Sequence, residues 1–236
     1  MKSLYLSVFF RMKNNALFIL AVSFSIISLG QVYEIGFSAG GTNYVGDIGS
    51  TNYIYPNQLA GAVFFKYNYN PRIAWKGTYS YLPIKGNDSE ASTEFRRNRA
   101  FKFSNIINEL ALGMEFNFYE YDISSEDKSW TPYLLFELAV FNYSYVTGQN
   151  NAGENVFDKK TSVAAPIGIG FKSILADNFA FSLETKFRYT FKDDLDFVSE
   201  NNINLNIEGT SNDWYIFTGV SLIYTFGRPS CYTKGL

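Results

Sequence analysis

Hydrophobic and polar positions alternate along most of this chain with a period of two. The clearest run is Phe179 to Phe191, where Phe179, Phe181, Leu183, Phe187, Tyr189 and Phe191 share one frame, broken only by Thr185. Ala180, Ser182, Glu184, Lys186, Arg188 and Thr190 occupy the other. Successive side chains of a strand point to opposite faces, so the run reads as a strand with one oily and one charged side. A helix would put Glu184 and Arg188 on the same stripe as Phe181 and is excluded. The run is long for a soluble strand and suits a tilted membrane crossing.

The pattern recurs and predicts eight strands, over 32–40, 59–69, 73–81, 108–118, 132–141, 165–172, 179–191 and 214–226. The fifth is the least regular, with Leu134, Phe136, Leu138 and Val140 opposing Tyr133, Leu135, Glu137 and Phe141. Pro166 gives no ladder N–H and is expected at a strand end or a bulge. Long and short connectors alternate, and Asn70-Pro71-Arg72 and Ala176-Asp177-Asn178 have turn chemistry. The expectation is an all-β fold, an eight-stranded antiparallel transmembrane β-barrel of the bacterial outer-membrane type. An even strand number leaves both termini on the short-turn side, which would be periplasmic, with outer-membrane lipid around the wall.

The charged residues of the inward frames are Glu34, Glu109, Glu115, Glu137 and Glu184 against Lys66, Lys76, Lys172, Lys186 and Arg188. Five acids balance five bases. Eight strands enclose just enough space for their own side chains. The balanced set therefore predicts a lumen filled by paired ions, whereas a selective pore would carry a bias of sign.

Composition supports this reading and narrows the chemistry. The 236 residues are 19 % aromatic, and the mean hydropathy of −0.09 rules out a helical membrane bundle. The formal charge of −2 offers nothing for nucleic acid. The chain has no His and one Cys, which removes the usual general base, zinc ligand and serine-protease relay, and any internal disulfide. Nothing points to a cofactor or a metal. Lys2, Arg11 and Lys13 precede the apolar run Ala16 to Leu29, with small Ser28 and Gly30 before Gln31. Residues 1–30 therefore read as a signal peptide cleaved after Gly30, followed by one barrel domain over 31–236. A spanning helix would need about 20 apolar residues, and no Cys near the cut allows lipoprotein processing. Met12-Lys13 would start a compact signal, making residues 1–11 an upstream extension. Loss of the three cations takes the formal charge from −2 to −5.

Several loop clusters invite a function. Arg96, Arg97, Arg99 and Lys102 suit either lipopolysaccharide phosphates or simple solvation. Asp193, Asp194 and Asp196 mark a polar loop sooner than a calcium site, and Asp88, Glu90 and Glu94 form a loose acidic patch. The glycine-rich stretch Gly40 to Gly49 lacks the Lys-Ser/Thr of a phosphate loop. Trp75, Tyr79, Tyr81, Trp214 and Tyr224 suit a membrane-interface girdle. Cys231 is a tail thiol without an evident role.

Ordered motifs also carry a resemblance. Gly41-Thr42-Asn43-Tyr44-Val45-Gly46-Asp47-Ile48-Gly49 follows the first strand, and Tyr55-Pro56-Asn57 ends its loop. Arg99-Ala100-Phe101-Lys102-Phe103 and Glu115-Phe116-Asn117-Phe118 flank the fourth strand, and Thr131-Pro132-Tyr133 opens the fifth. Asp194-Leu195-Asp196-Phe197-Val198-Ser199 begins the last loop. Asp213-Trp214-Tyr215 and Tyr224-Thr225-Phe226-Gly227-Arg228-Pro229 bracket the last strand. Together they resemble the PorG family, outer-membrane barrels of the Bacteroidetes type IX secretion system. The last loop departs from it, with Lys192-Asp193 where an Asp-Tyr pair is common. The resemblance implies a non-enzymatic component that anchors the periplasmic ring of PorK and PorN. Contacts to that ring would fall on the turn holding Glu120, Asp122, Glu126, Asp127 and Lys128, and on the tail from Gly227. The alternatives are a small passive channel or ligand-binding barrel, and an enzyme acting on lipid, which would need chemistry without histidine.

Overall fold

The computed structural model describes residues 32–122, 129–176, 178–198 and 212–227. The signal segment, Glu126, Asp127, Lys128 and Cys231 lie outside them. Eight antiparallel strands form a closed ring in chain order: β1 (Val32–Val45), β2 (Gln58–Asn70), β3 (Ile73–Asn87), β4 (Lys102–Asn117), β5 (Trp130–Gln149), β6 (Asn155–Ala176), β7 (Phe179–Thr190) and β8 (Trp214–Phe226). Closure is the β1–β8 ladder, paired from Tyr33 with Phe226 to Val45 with Trp214. A short helix, α1 (Glu94–Arg99), lies in the connection between β3 and β4.

The alternation seen in the sequence sorts side chains as a barrel in lipid requires. Leu59 and Leu138 point outward and are 83 % and 78 % exposed, while Glu34, Lys66, Glu109, Glu115 and Lys172 are completely buried. That distribution is the reverse of a water-soluble domain. The 13 residues of β8, at about 3.3 Å each and a tilt of about 40°, rise roughly 33 Å, against an apolar band of about 25 Å. Aromatic clusters mark both rims. Tyr33 packs on Phe226 and Tyr67 at one end, at 5.7 and 5.8 Å, and Tyr189 packs on Trp214 at 5.0 Å at the other.

The start of β1, the end of β8 and the short connections from β2 to β3 and from β6 to β7 share one end, here the turn end. The connections 46–57, 88–101 and 150–154 and the described parts of the last connection, 191–198 and 212–213, form the loop end. The strands outrun the sequence expectation on that side. β3 continues to Asn87 and β4 starts at Lys102, and the third long connector, between the fifth and sixth strands, is largely strand. Tyr143 pairs with Lys160 and Val146 with Phe157, leaving a five-residue turn at 150–154. Asn150 Oδ1 accepts the N–H groups of Ala152 and Glu154 there, and Gly153 takes a left-handed φ of 77°. Apolar alternation fades in this stretch because no bilayer faces it, so pattern alone missed it.

The β4–β5 ladder stops at Asn108 with Asn142 and the β6–β7 ladder at Ala164 with Thr190. Beyond those pairs β5 and β6 ladder only with each other, and the lower part of this two-stranded ribbon packs on the last loop through Tyr143, Phe157 and Lys160. Asn105 staples one of its edges, donating to the Ser144 carbonyl at 2.8 Å and accepting from the Ser144 N–H at 3.2 Å. Pro166 sits inside β6, neither at its end nor at a bulge. It pairs in register with Arg188 of β7, and the β5 ladder is interrupted beside it between Phe136–Ile167 and Ala139–Ala164 without a register shift. The ladder to β5 loses the two pairs beside the proline and keeps its frame.

A charge at the middle of the outward surface tests the lipid-facing arrangement. Leu138→Arg is expected to lose roughly 2–4 kcal/mol in refolding from urea into phospholipid vesicles. Asn142→Arg, at the rim, is expected to change stability by less than about 1 kcal/mol.

Candidate functional site

The inward frames build a lumen in tiers. Nearest the turn end, Lys66 Nζ lies 2.7 Å from Glu115 and 3.6 Å from Glu34, and Lys172 pairs with the other oxygen of Glu115. Asn68 donates to Glu34 at 3.0 Å, and the Lys172 ammonium lies 4.2 Å from the Tyr121 ring centroid. The next tier joins Lys76 to Glu184 at 2.8 Å and Lys186 to Glu137 at 2.8 Å, with Lys186 also 3.5 Å from Glu184. Tyr133 donates to Glu184 at 2.7 Å and Thr78 to Glu137 at 3.0 Å. The third tier is Arg188, whose Nε donates to both oxygens of Glu109 at 3.0 and 2.9 Å while Tyr215 adds a hydroxyl at 2.7 Å. All ten inward ions identified in the sequence therefore meet partners inside the barrel.

The neutral members of this network were placed on the inward face by the alternation but not recognised as partners of the ions. Tyr133, Thr78 and Tyr215 stood in the inward frames and could have been found there. Phe64 also points inward and lies over Gly36, where a Cβ would collide with its ring. It clusters with Ala180 and Ile223, and two cations lie near its ring, Lys66 at 5.2 Å and Lys76 at 4.6 Å from the centroid.

Above the ions the lumen turns apolar. Leu82, Ile84, Phe103, Ile107, Phe141, Tyr143, Tyr215 and Phe217 from the strands pack with Ile48, Leu195 and Val198 from the loops. Ile48, Leu82, Ile84, Ile107 and Leu195 are completely buried. This stopper was invisible in the strand pattern, because loop residues supply its cap.

Hydrogen bonds on aspartates hold the cap in place. Asp213 accepts the Leu195 N–H at 3.0 Å and Asp196 the Val198 N–H at 3.0 Å. Tyr44 Oη lies 2.8 Å from Asp196 and also contacts Asp213. One hydroxyl has one proton, so both contacts are satisfied only when a carboxyl is protonated and donates back. Burial pushes Asp196 up to about 7, despite the Val198 and Tyr44 hydrogen bonds, with the charges of Asp47 and Asp193 adding to the rise. Burial, then the charge of Asp196, also raises Asp213. Asp194 instead takes the Tyr143 hydroxyl at 2.6 Å and the Lys160 ammonium at 2.7 Å. No metal-binding group of three or more acidic or thiol ligands occurs among the described residues.

The arginine cluster is divided between structure and solvent. Arg99 binds Asp88 through Nε at 2.7 Å and reaches the Asp47 carbonyl at 2.7 Å. Asp88 is buried, which opposes its charge. The Arg99 hydrogen bond, the Gly49 N–H, the Arg99 charge and the Phe101 N–H outweigh that and hold its carboxyl below the usual range. Arg96 donates to the Gly49 carbonyl at 3.1 Å and Arg97 to the Ala91 carbonyl at 3.0 Å, whereas Lys102 is exposed. At the turn end, Glu120 is exposed and lies 3.4 Å from Arg72, and Asp122 is also exposed.

A family model for a domain of unknown function, DUF6089, matches residues 13–235. The chain belongs to the DUF6089 family. No curated protein matches it. Among solved structures, this DUF6089 barrel is similar to Ail of Yersinia pestis in complex with the heparin analogue sucrose octasulfate. The identity is 10 %, the coverage 84 % of this chain and 100 % of Ail, and the TM-score 0.44. Neisserial surface protein A is 11 % identical over 83 % of this chain and 96 % of its own, with a TM-score of 0.45. A major outer membrane protein from Thermus thermophilus is 12 % identical over 83 % and 99 %, with a TM-score of 0.46. Likeness at this level concerns the path of the chain and carries nothing about ligands.

The geometry makes two sets of variants informative. Arg188→Leu strands a buried Glu109 and is expected to cost roughly 3–5 kcal/mol in urea unfolding. The double change Arg188→Leu with Glu109→Leu is expected to recover most of that loss. Asp196 holds its proton up to about 7 with the 191–198 segment docked, against about 3.9 when free. Docking is therefore strongest below about pH 4 and weakens by up to about tenfold per unit as pH rises to about 7. Hydrogen exchange of the Leu195 amide, corrected for its intrinsic pH dependence, is expected to follow that curve, and Asp196→Asn to make it shallower while the part due to Asp213 remains.

Proposed function

We propose that this chain is a non-enzymatic, non-conducting outer-membrane barrel that anchors a periplasmic assembly, with its turn end and both termini in the periplasm. The observation carrying the first part is the filled lumen. A water channel leaves its lining accessible, whereas the ten inward ions here are at most 5 % exposed. Their carboxylates are already engaged by Lys, Arg, Tyr or Thr, which leaves no free general base among them.

The assembly role rests on the resemblance to PorG-type barrels, which implies a periplasmic ring of PorK and PorN type within a type IX secretion system. The turn end suits contact with such a ring. Tyr119 is 55 % exposed and stacks edge-on against Trp130 at 5.2 Å, beside the exposed Glu120 and Asp122. Glu126, Asp127 and Lys128 belong to the same connection by sequence. At the loop end, lipopolysaccharide phosphate remains a partner for the solvent-facing Arg97 and Lys102.

A photo-crosslinking residue in place of Tyr119, activated in intact cells, is expected to capture a periplasmic ring protein. Capture of none removes the assembly role. Planar bilayers containing the purified barrel are expected to stay at background conductance, and discrete steps above it would favour the small passive channel instead.

A further inference from the structure

We infer that the second half of the first loop is a wedge inserted into the lipid leaflet at the loop end; this rests on the membrane reading above. The two halves of the connection 46–57 go to different places. The first half turns inward: Ile48 is completely buried in the stopper, and the Gly49 N–H donates to Asp88 at 2.9 Å. The second half lies against the outer wall of β1. Odd-numbered residues of β1 face outward, as the exposed Ile35 and Phe37 do, yet Asn43 in the same frame is only 2 % exposed. Loop backbone covers it. Asn43 Nδ2 donates to the carbonyls of Asn52 and Tyr53, both at 3.0 Å, and its Oδ1 accepts the Tyr55 N–H at 3.4 Å. Pro56 then rests on Gly41, where a Cβ would lie 2.6 Å from the proline ring, and the Asn57 N–H returns to the Thr42 carbonyl at 2.9 Å. Ile216 pairs with Asn43 across the closing ladder and stands in the outward frame of β8, yet it too is completely buried.

Depth and chemistry identify what this segment meets. Val45, Trp214 and Tyr189 form one rung of the rim girdle, and Asn43, Ile216 and Phe187 form the next outward rung toward the turn end. Two strand residues separate the rungs, about 6–7 Å along the strand. The anchoring point of the loop is therefore deeper than the girdle, where Trp and Tyr mark the interface. Tyr53, Ile54 and Tyr55 are 59 %, 57 % and 47 % exposed there, and no charged residue occurs between Asp47 and Lys66. The segment is continuous with the apolar belt through Leu59 and Val63 of β2. Its partner is the boundary between headgroups and upper acyl chains of the leaflet, which accepts two phenol rings and an isoleucine but no charge. Among the described residues the wedge widens the barrel on the β8–β1–β2 side and so biases how the cylinder leans in the bilayer.

A nitroxide at Ile54→Cys, in a Cys231→Ser background and in phosphatidylcholine vesicles, reads this directly. Collision with oxygen is expected to exceed collision with a water-soluble nickel chelate several-fold, as for a reference label at Leu138→Cys. Gly41→Val is expected to unseat Pro56 and reverse that preference at position 54, with the folded barrel verified by its gel mobility before and after heating. A nickel-dominated signal at 54 beside a lipid-like signal at 138 overturns the wedge. Exclusion of both reagents at 54 overturns it too, in favour of a protein contact. A nickel-dominated signal at 138 overturns the membrane reading itself.

Discussion

An unpaired backbone N–H or carbonyl in hydrocarbon costs several kcal/mol, and that constraint decides this architecture. A sheet meets it only by joining its first strand to its last. The ladder from Tyr33–Phe226 to Val45–Trp214 does so, and it removes both edges at once. Once the ring is closed, each side chain has two destinations, bilayer or lumen, and the alternating sequence follows.

Closure creates a second demand. Eight strands leave a lumen too narrow for bulk water, so every charge directed inward needs an opposite charge and hydrogen bonds of its own. The tiers answer with pairs made across the lumen between distant strands. Lys76 of β3 reaches Glu184 of β7, Lys186 of β7 reaches Glu137 of β5, and Arg188 of β7 reaches Glu109 of β4. The first ties opposite walls together, and the others bridge strands that do not pair with each other. The apolar stopper closes what remains with loop residues, which places the aspartate clasp at the boundary between a dry interior and solvent.

Most of the wall was legible in the sequence, because a period of two with aromatic residues in one frame fits a strand and fails a helix. All ten inward ions followed from the same frames. Their pairing did not, since Glu184 and Lys76 are separated by more than a hundred residues and meet only through barrel geometry. The Tyr44 contacts with Asp196 and Asp213 were hidden for the same reason, and Asp88 looked like one acid of a loose patch until Arg99 was seen folded onto it. The strand extensions beyond Asn142 and Ala164 escaped because amphipathic alternation signals a bilayer, and the ribbon stands clear of one. Pro166 was expected to mark a boundary, but the ladder to β7 carries the strand through it.

That ribbon has a practical consequence. Among the described residues neither of its flanks forms a ladder with a neighbouring strand above Asn142 and Ala164, and its lower part is held by Asn105, by Tyr143 in the stopper and by the contacts of Lys160 with Asp194 and Phe157 with Phe197. Its tip at 150–154 is exposed and contributes nothing to the stopper. Extra residues there lengthen a stalk without disturbing the cylinder below. The tip is thus a natural port for grafted sequence, where an epitope or affinity tag can be displayed away from the membrane while the barrel assembles unchanged.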